Sequence, residues 1–342
     1  MMNNERIYYI DILKFIAIFG VIFIHLCGFV GHSEVLHFKI AGFSEIFRFA
    51  VPIFLMITGA LLLNRDISIN SFLKKRFSRI VYPYLFWIIL AIITFLYVSG
   101  TLIQDYPRVI LDQFFNLSWN WYFWMMIGVY LAIPVINEFV INKKLEGCKY
   151  FIALMLIASV SYSVCHFLGY KTSLDLRFFI LPAAYLVLGY FLANYEFKTS
   201  KNKLILVSSI LFISVTLLKL MFKDTTIFFS NDNIFFNSGL DISILEIIQA
   251  SSLFMVFKNL NYNLLNEKHI KAFITSVSRS SYGMYLSHMI ILIPLYQYFK
   301  KLSLTGFQTL SFVMISAISI FLITWIAVLL VNRFSHKFSG YY

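Results

Sequence analysis

Apolar residues fill this chain in blocks of about twenty, divided by short polar connections. Ten blocks can be counted, over 8–29, 40–63, 80–98, 119–139, 150–169, 178–194, 204–222, 239–257, 280–299 and 309–332. About 20 helical residues cross the roughly 30 Å of hydrocarbon in a bilayer. The pattern therefore predicts an all-α, polytopic integral membrane protein of about ten transmembrane helices. The eighth block is the weakest. No Pro-, Gly- or Ser-rich linker breaks the series, so a single transmembrane domain over residues 1–342 is expected. The first block runs too long for a signal peptide and lacks a small-x-small cleavage site, which predicts that it stays as a helix. Composition points the same way: 60% apolar, 13% charged and a mean hydropathy of +0.80 lie outside the range of soluble chains.

Charge adds an orientation. If the N-terminus is cytoplasmic, 18 of the 28 Lys and Arg residues fall in inner segments and 7 in outer ones, with Lys14, Arg48 and Lys219 inside blocks. The inner excess predicts that both termini lie in the cytoplasm. The net charge of +12 follows from this asymmetry, so no nucleic-acid partner is expected, and membrane lipids are the surroundings.

The first block, YYIDILKFIAIFGVIFIHLCGFV at 8–30, keeps Asp11, Lys14 and His25. At 100° and 1.5 Å per residue, Lys14 and His25 lie about 20° apart around a helix and roughly 16 Å apart along it. Asp11 falls on the same stripe. A charge facing lipid costs several kcal/mol, so the stripe must face protein or water. Glu45 and Arg48, one turn apart in the outer third of the second block, lie at a depth close to that of His25. A carboxylate such as Glu45 can fix the tautomer of a histidine and raise its basicity. The structural alternative is an Asp11–Lys14 pair at the inner interface, a packed histidine and a Glu45–Arg48 pair that joins helices.

Arg76 and Arg79 in LKKRFSRIVYPYLFW are three residues apart at the cytoplasmic start of the third block. Paired guanidiniums suit the phosphates of a nucleotide-like ligand, though such clusters also set topology or touch anionic lipid. In the ninth block Ser281, Tyr285 and His288 repeat on one face, with structural hydrogen bonding as the expected role. Asp241 and Glu246, in the outer half of the eighth block, are candidates to line an acceptor entrance. Cys27 and Cys165 lie near the outer ends of their blocks and could pair, while Cys148 is expected inside. Free thiols suit the spacing of all three better, and nothing in it suggests a metal site, so no metal is expected.

Taken in order, Asp11, the Lys14-x10-His25 arrangement, Arg48 followed by VPIFLMITG, Arg76-x-x-Arg79 running into YP, WNWYFW at 119–124 and SYGMYLSH at 281–288 resemble the acyltransferase-3 family. The arrangement resembles its short members, such as the enterobacterial common antigen O-acetyltransferase type. Lys14 stands where Arg is common, which keeps the charge but loses the bidentate fork. The resemblance implies an O-acyltransferase of the bacterial inner membrane that takes an acyl group, acetyl in most members, from acyl-CoA to a cell-surface or lipid-linked carbohydrate. It implies that Arg76 and Arg79, helped by Lys14, hold the CoA phosphates. His25 would act as general base or as transient acyl acceptor. Arg48, Trp121 and Tyr122 are candidate donors to an oxyanion. A transporter of lipid-linked sugars remains the alternative, since a polar stripe among ten helices suits a substrate path as well. A noncatalytic subunit of a polysaccharide synthase is a third reading. Reporter fusions after residue 110 should read extracytoplasmic and those after residue 70 cytoplasmic. The reverse pattern would overturn the orientation.

Overall fold

The computed structural model describes residues 7–31, 40–115, 120–167, 182–221, 243–262, 268–299 and 306–341. Asp241 lies outside the described residues, as does the side chain of Cys165. Helices account for nearly all of the rest, and no strand occurs among the described residues. They are α1 (Tyr8–Gly31), a 3-10 segment (Ile40–Phe47), α2 (Ala50–Leu62), α3 (Ile69–Ser99), α4 (Tyr106–Phe115), α5 (Trp121–Phe167), α6 (Ala183–Asn194), α7 (Lys201–Met221), α8 (Ile244–Asn259), α9 (Lys268–Phe299), α10 (Gly306–Phe334) and the one-turn α11 (His336–Ser339). Helix lies in each of the ten apolar blocks. Among the described residues, six candidate spans are long and apolar enough to cross a membrane: Tyr8–Val30, Gly42–Leu62, Ile69–Ser99, Trp121–Ser161, Lys201–Met221 and Phe307–Phe334. The protein is an all-α polytopic membrane protein.

Three local features differ from the simple block pattern. The second block is not one α-helix: the 3-10 segment ends at Phe47, Arg48 and Phe49 form a turn, and α2 starts at Ala50. Pro52 accounts for the break. It has no N–H to give the Arg48 carbonyl four residues back, and its ring crowds that carbonyl, so an α-helix starting at Ala50 cannot extend backward through Arg48. The polar stretch 140–149 is a connection of one residue, Lys144 (φ 50°, ψ −145°), between two helical stretches of α5. The third feature is α4, which occupies a stretch between the third and fourth blocks.

The chain forms two compact units, each made of three segments: residues 1–17, 48–67 and 132–278 in the first, and 18–47, 68–131 and 279–342 in the second. In the first unit, α2 meets α6 where glycines stand on both helices. A Cβ on Gly59 would lie 1.8 Å from the Leu186 carbonyl oxygen, and one on Gly189 would lie 2.0 Å from that of Met56. Small residues of this kind let helix backbones touch in a membrane. Asn137 clamps the backbone of Arg65 in both directions, accepting from its N–H at 3.2 Å and donating to its carbonyl at 2.8 Å.

In the second unit, Tyr84 of α3 stacks on Phe123 of α5 with ring centroids 3.6 Å apart and donates its hydroxyl to the Phe114 carbonyl at 3.1 Å. Ile80, Ile88, Ala91 and Ile92 complete that core. Pro83 interrupts the ladder of α3, and one residue from the carbonyl it cannot serve, the Tyr282 hydroxyl of α9 donates to Ile80 at 2.9 Å. Beside it, the Gly283 N–H donates to the Gly340 carbonyl at 3.2 Å, and Trp87 Nε1 donates to Ser339 at 3.3 Å. A Cβ on Gly283 would lie 2.1 Å from the Ser339 oxygen, which is why this position is glycine.

Gly59→Val should destabilise the protein by at least the 1–3 kcal/mol typical of overpacking, roughly, because it is backbone that must yield. Gly128→Ala, with nothing near its Cβ, should be close to neutral. Thermal unfolding in detergent would compare them, and equal melting temperatures would refute the close α2–α6 approach.

Candidate active site

The candidate site starts at the first turns of α3. Lys74 and Lys75 are exposed, whereas Arg76 and Arg79 are half-buried. Arg76 Cζ lies 5.5 Å from the centre of the Phe72 ring, which is itself 6.4 Å from the ring of Tyr130 on α5. The Tyr130 hydroxyl feels both guanidiniums.

From Tyr130 a file of polar rings runs through the second unit. Tyr130 and Tyr122 lie on α5 with their hydroxyls in electrostatic contact. The Tyr122 ring is 5.0 Å from Tyr285 of α9, whose hydroxyl meets the Phe123 backbone. Tyr285 lies 5.9 Å from His288, one turn further along α9. His288 in turn faces His25 of α1, with ring centroids 5.1 Å apart and planes inclined by 46°. His288 is completely buried, His25 half-buried. The Nδ1 of His288 contacts the Tyr285 carbonyl, the usual i−3 partner in a helix, and its Nε2 has no hydrogen-bond partner among the described residues.

Of the sequence-predicted residues, the second unit holds His25, Glu45, Arg76, Arg79, Trp121 and Tyr122. Glu45 is buried in the 3-10 segment, and the rings of Trp121 and Tyr122 lie edge to face, 6.1 Å apart. The first unit holds Lys14, Arg48 and Glu246. Because α1 is continuous from Tyr8 to Gly31, the helical spacing of Lys14 and His25 stands. Asp11 has partners on α9, accepting from the Ser278 hydroxyl at 2.6 Å and from Thr275 at 3.4 Å. Arg48 acts on Glu246 electrostatically.

Glu246, expected as a lining residue, is enclosed by the described residues around it. It is 2% exposed and lies 2.7 Å from Lys219 Nζ of α7, itself wholly buried. Gln249 accepts from Lys219 at 3.2 Å and donates to Thr216 at 2.9 Å. Ser243 caps α8 by accepting from the Glu246 N–H at 3.2 Å, and its hydroxyl donates to the Glu246 carboxylate. A carboxylate so enclosed joins helices rather than facing an opening. The sequence reading missed Lys219 as its partner, Tyr130 and Tyr285 in the file, and the meeting of His288 with His25. The shared face of Tyr285 and His288 was visible, but their partners sit on distant segments. Cys27 and Cys148 are free and buried. Among the described residues no cluster of three or more His, Cys, Asp or Glu is placed to hold a metal.

The profile of the acyltransferase-3 family, described as an acyltransferase domain, matches residues 7–331. The chain belongs to this family. It is a multi-pass membrane acyltransferase, and the matched range takes in every motif on which the resemblance rested. No curated protein and no solved structure matches the chain. In this acyltransferase the polar file of the second unit is the candidate catalytic centre, and the Lys219–Glu246 cluster is a tie between α7 and α8.

That tie generates a prediction. Lys219→Met strands the Glu246 carboxylate and should cost about 3–5 kcal/mol, whereas Lys219→Met with Glu246→Leu removes both charges and should recover most of the loss. Thermal unfolding of the three proteins checks it, and a double variant no more stable than the single one would contradict the pairing.

Proposed function

We propose that the protein transfers an acyl group from acyl-CoA, made in the cytoplasm, to a hydroxyl of an extracytoplasmic cell-surface carbohydrate across the bacterial inner membrane. One observation carries this reading: a half-buried guanidinium pair, Arg76 and Arg79, is joined by a file of tyrosines to an imidazole on α1. The family supplies acyl transfer, and the file joins a phosphate-binding group to a base. Arg76 and Arg79 hold the phosphates of CoA by charge-assisted, bidentate hydrogen bonds. The pantetheine arm follows the tyrosines toward His25. Lys14, on the same stripe of α1 as His25, assists at the cytoplasmic side.

At the far end His25 takes the proton of the acceptor hydroxyl as the oxygen attacks the thioester carbonyl. The C–S bond breaks, the ester forms, and the proton on His25 goes to the departing thiolate. Glu45 supports the base, and Trp121 and Tyr122 are the candidate donors to the oxyanion. Both termini are cytoplasmic in this reading, with ten crossings.

Labelled acetyl-CoA and an acceptor glycan, supplied to the purified protein, test the proposal. His25→Ala should lower turnover about 10²–10⁴-fold, the usual contribution of a general base, and leave CoA binding nearly unchanged. Arg76→Ala with Arg79→Ala should do the opposite, weakening CoA binding by about 1.5–3 kcal/mol for each charged hydrogen bond lost. Sugar export by the wild type without release of CoA would instead support a transporter.

A further inference from the structure

His288 holds a buried polar atom without a partner among the described residues. Its ring is completely buried, its Nδ1 is engaged by the Tyr285 carbonyl, and its Nε2 has no partner among the described residues. A carbonyl can only accept, so Nδ1 carries the proton and Nε2 is a bare lone pair. Leaving such an acceptor buried and unsatisfied costs about 1–3 kcal/mol. A side chain kept only for packing would not retain that penalty, because an apolar ring fills the same space. Across from it is His25, 5.1 Å away between ring centroids. Two imidazoles sharing an N–H···N bond of about 2.9 Å have centroids roughly 5 Å apart, so the separation already suits such a bond, and a 46° angle between the ring planes is compatible with it. Catalytic hydrogen bonds are often misaligned before substrate binds and tighten in the complex.

We infer that His288 is a positioning residue for His25. Its Nε2 accepts the N–H of His25 once substrate is bound, which fixes the His25 tautomer and turns the other His25 nitrogen, unprotonated, toward the acceptor hydroxyl. When His25 takes the hydroxyl proton, the same bond stabilises the imidazolium until that proton passes to the thiolate. No proton is moved to or from His288. The Tyr285 carbonyl thus orients His288, and His288 orients the base. This replaces the purely structural role that the sequence of α9 suggests for His288, assigns to His288 the tautomer-fixing role for which Glu45 was the candidate and leaves Glu45 to act through its charge; it rests on the acyl-transfer reading with His25 as base.

The test compares His288→Phe, which keeps a planar ring but no acceptor, with His288→Gln, which keeps an acceptor oxygen. Both are measured for CoA binding, for KM of the acyl donor and for kcat. His288→Phe should bind CoA and keep KM while kcat falls roughly ten- to a hundredfold, the scale set by partners that orient other functional imidazoles. His288→Gln should recover a measurable part of the lost kcat. A His288→Phe protein with wild-type kcat, or a Gln variant as slow as the Phe variant, would overturn the inference. So would loss of CoA binding in both variants, which would make His288 a packing residue. If the wild type and His25→Ala behave alike, the acyl-transfer reading has failed instead.

Discussion

Hydrocarbon offers no hydrogen bonds, so an ionisable group placed in it must find its partners within the protein. α1 shows the consequence most clearly. It carries Asp11, Lys14 and His25, and no residue from Tyr8 to Val30 is exposed. On α7, by contrast, Leu206, Ile210, Ile213 and Leu217 all stand open, as helix facing lipid requires. The polar side chains of α1 therefore dictate its packing: α9 supplies hydroxyls to Asp11 at one end and His288 to His25 at the other. Buried Lys219 obeys the same rule with Glu246.

The short motifs of the second unit acquire a shared meaning through packing. Tyr84 from YPY stacks on Phe123 from WYFW, and Tyr282 from SYG bonds to the α3 backbone beside the Pro83 break. Each motif thus supplies a part that the others hold. Gly283 admits the Ser339–Gly340 backbone, which also receives Trp87. The polar file runs through the helices that these contacts fasten, and a catalytic geometry sensitive to about 1 Å depends on such fastening.

Much of this was legible in the sequence. The helical blocks and the spacing of Arg76 and Arg79 follow from hydropathy and local sequence, because those are properties of single segments, whereas the family came from the resemblance of its ordered motifs. The break at Arg48–Phe49 was harder to see, since over eight residues apolar positions spaced for a 3-10 helix look like those of an α-helix. Pro52 was the available sign. The burial of Glu246 and its partner were not legible because both depend on α7, and a carboxylate in a weak apolar block looks the same whether it meets a lysine or an opening. His288 was visible as a polar residue on a face, but nothing local says that the ring opposite is His25.

The meeting of His25 with His288 also orders events during synthesis. α1 is made well before α9, so the imidazole of His25 and the carboxylate of Asp11 enter the bilayer long before the residues of α9 that will satisfy them exist. In that interval α1 is an incomplete helix that needs water, an insertion partner or the other early helices around its polar stripe. Substitutions in α9 therefore act twice, on the finished centre and on how long a charged helix waits in the membrane without its match, so defects in α9 would also surface as poor biogenesis of α1.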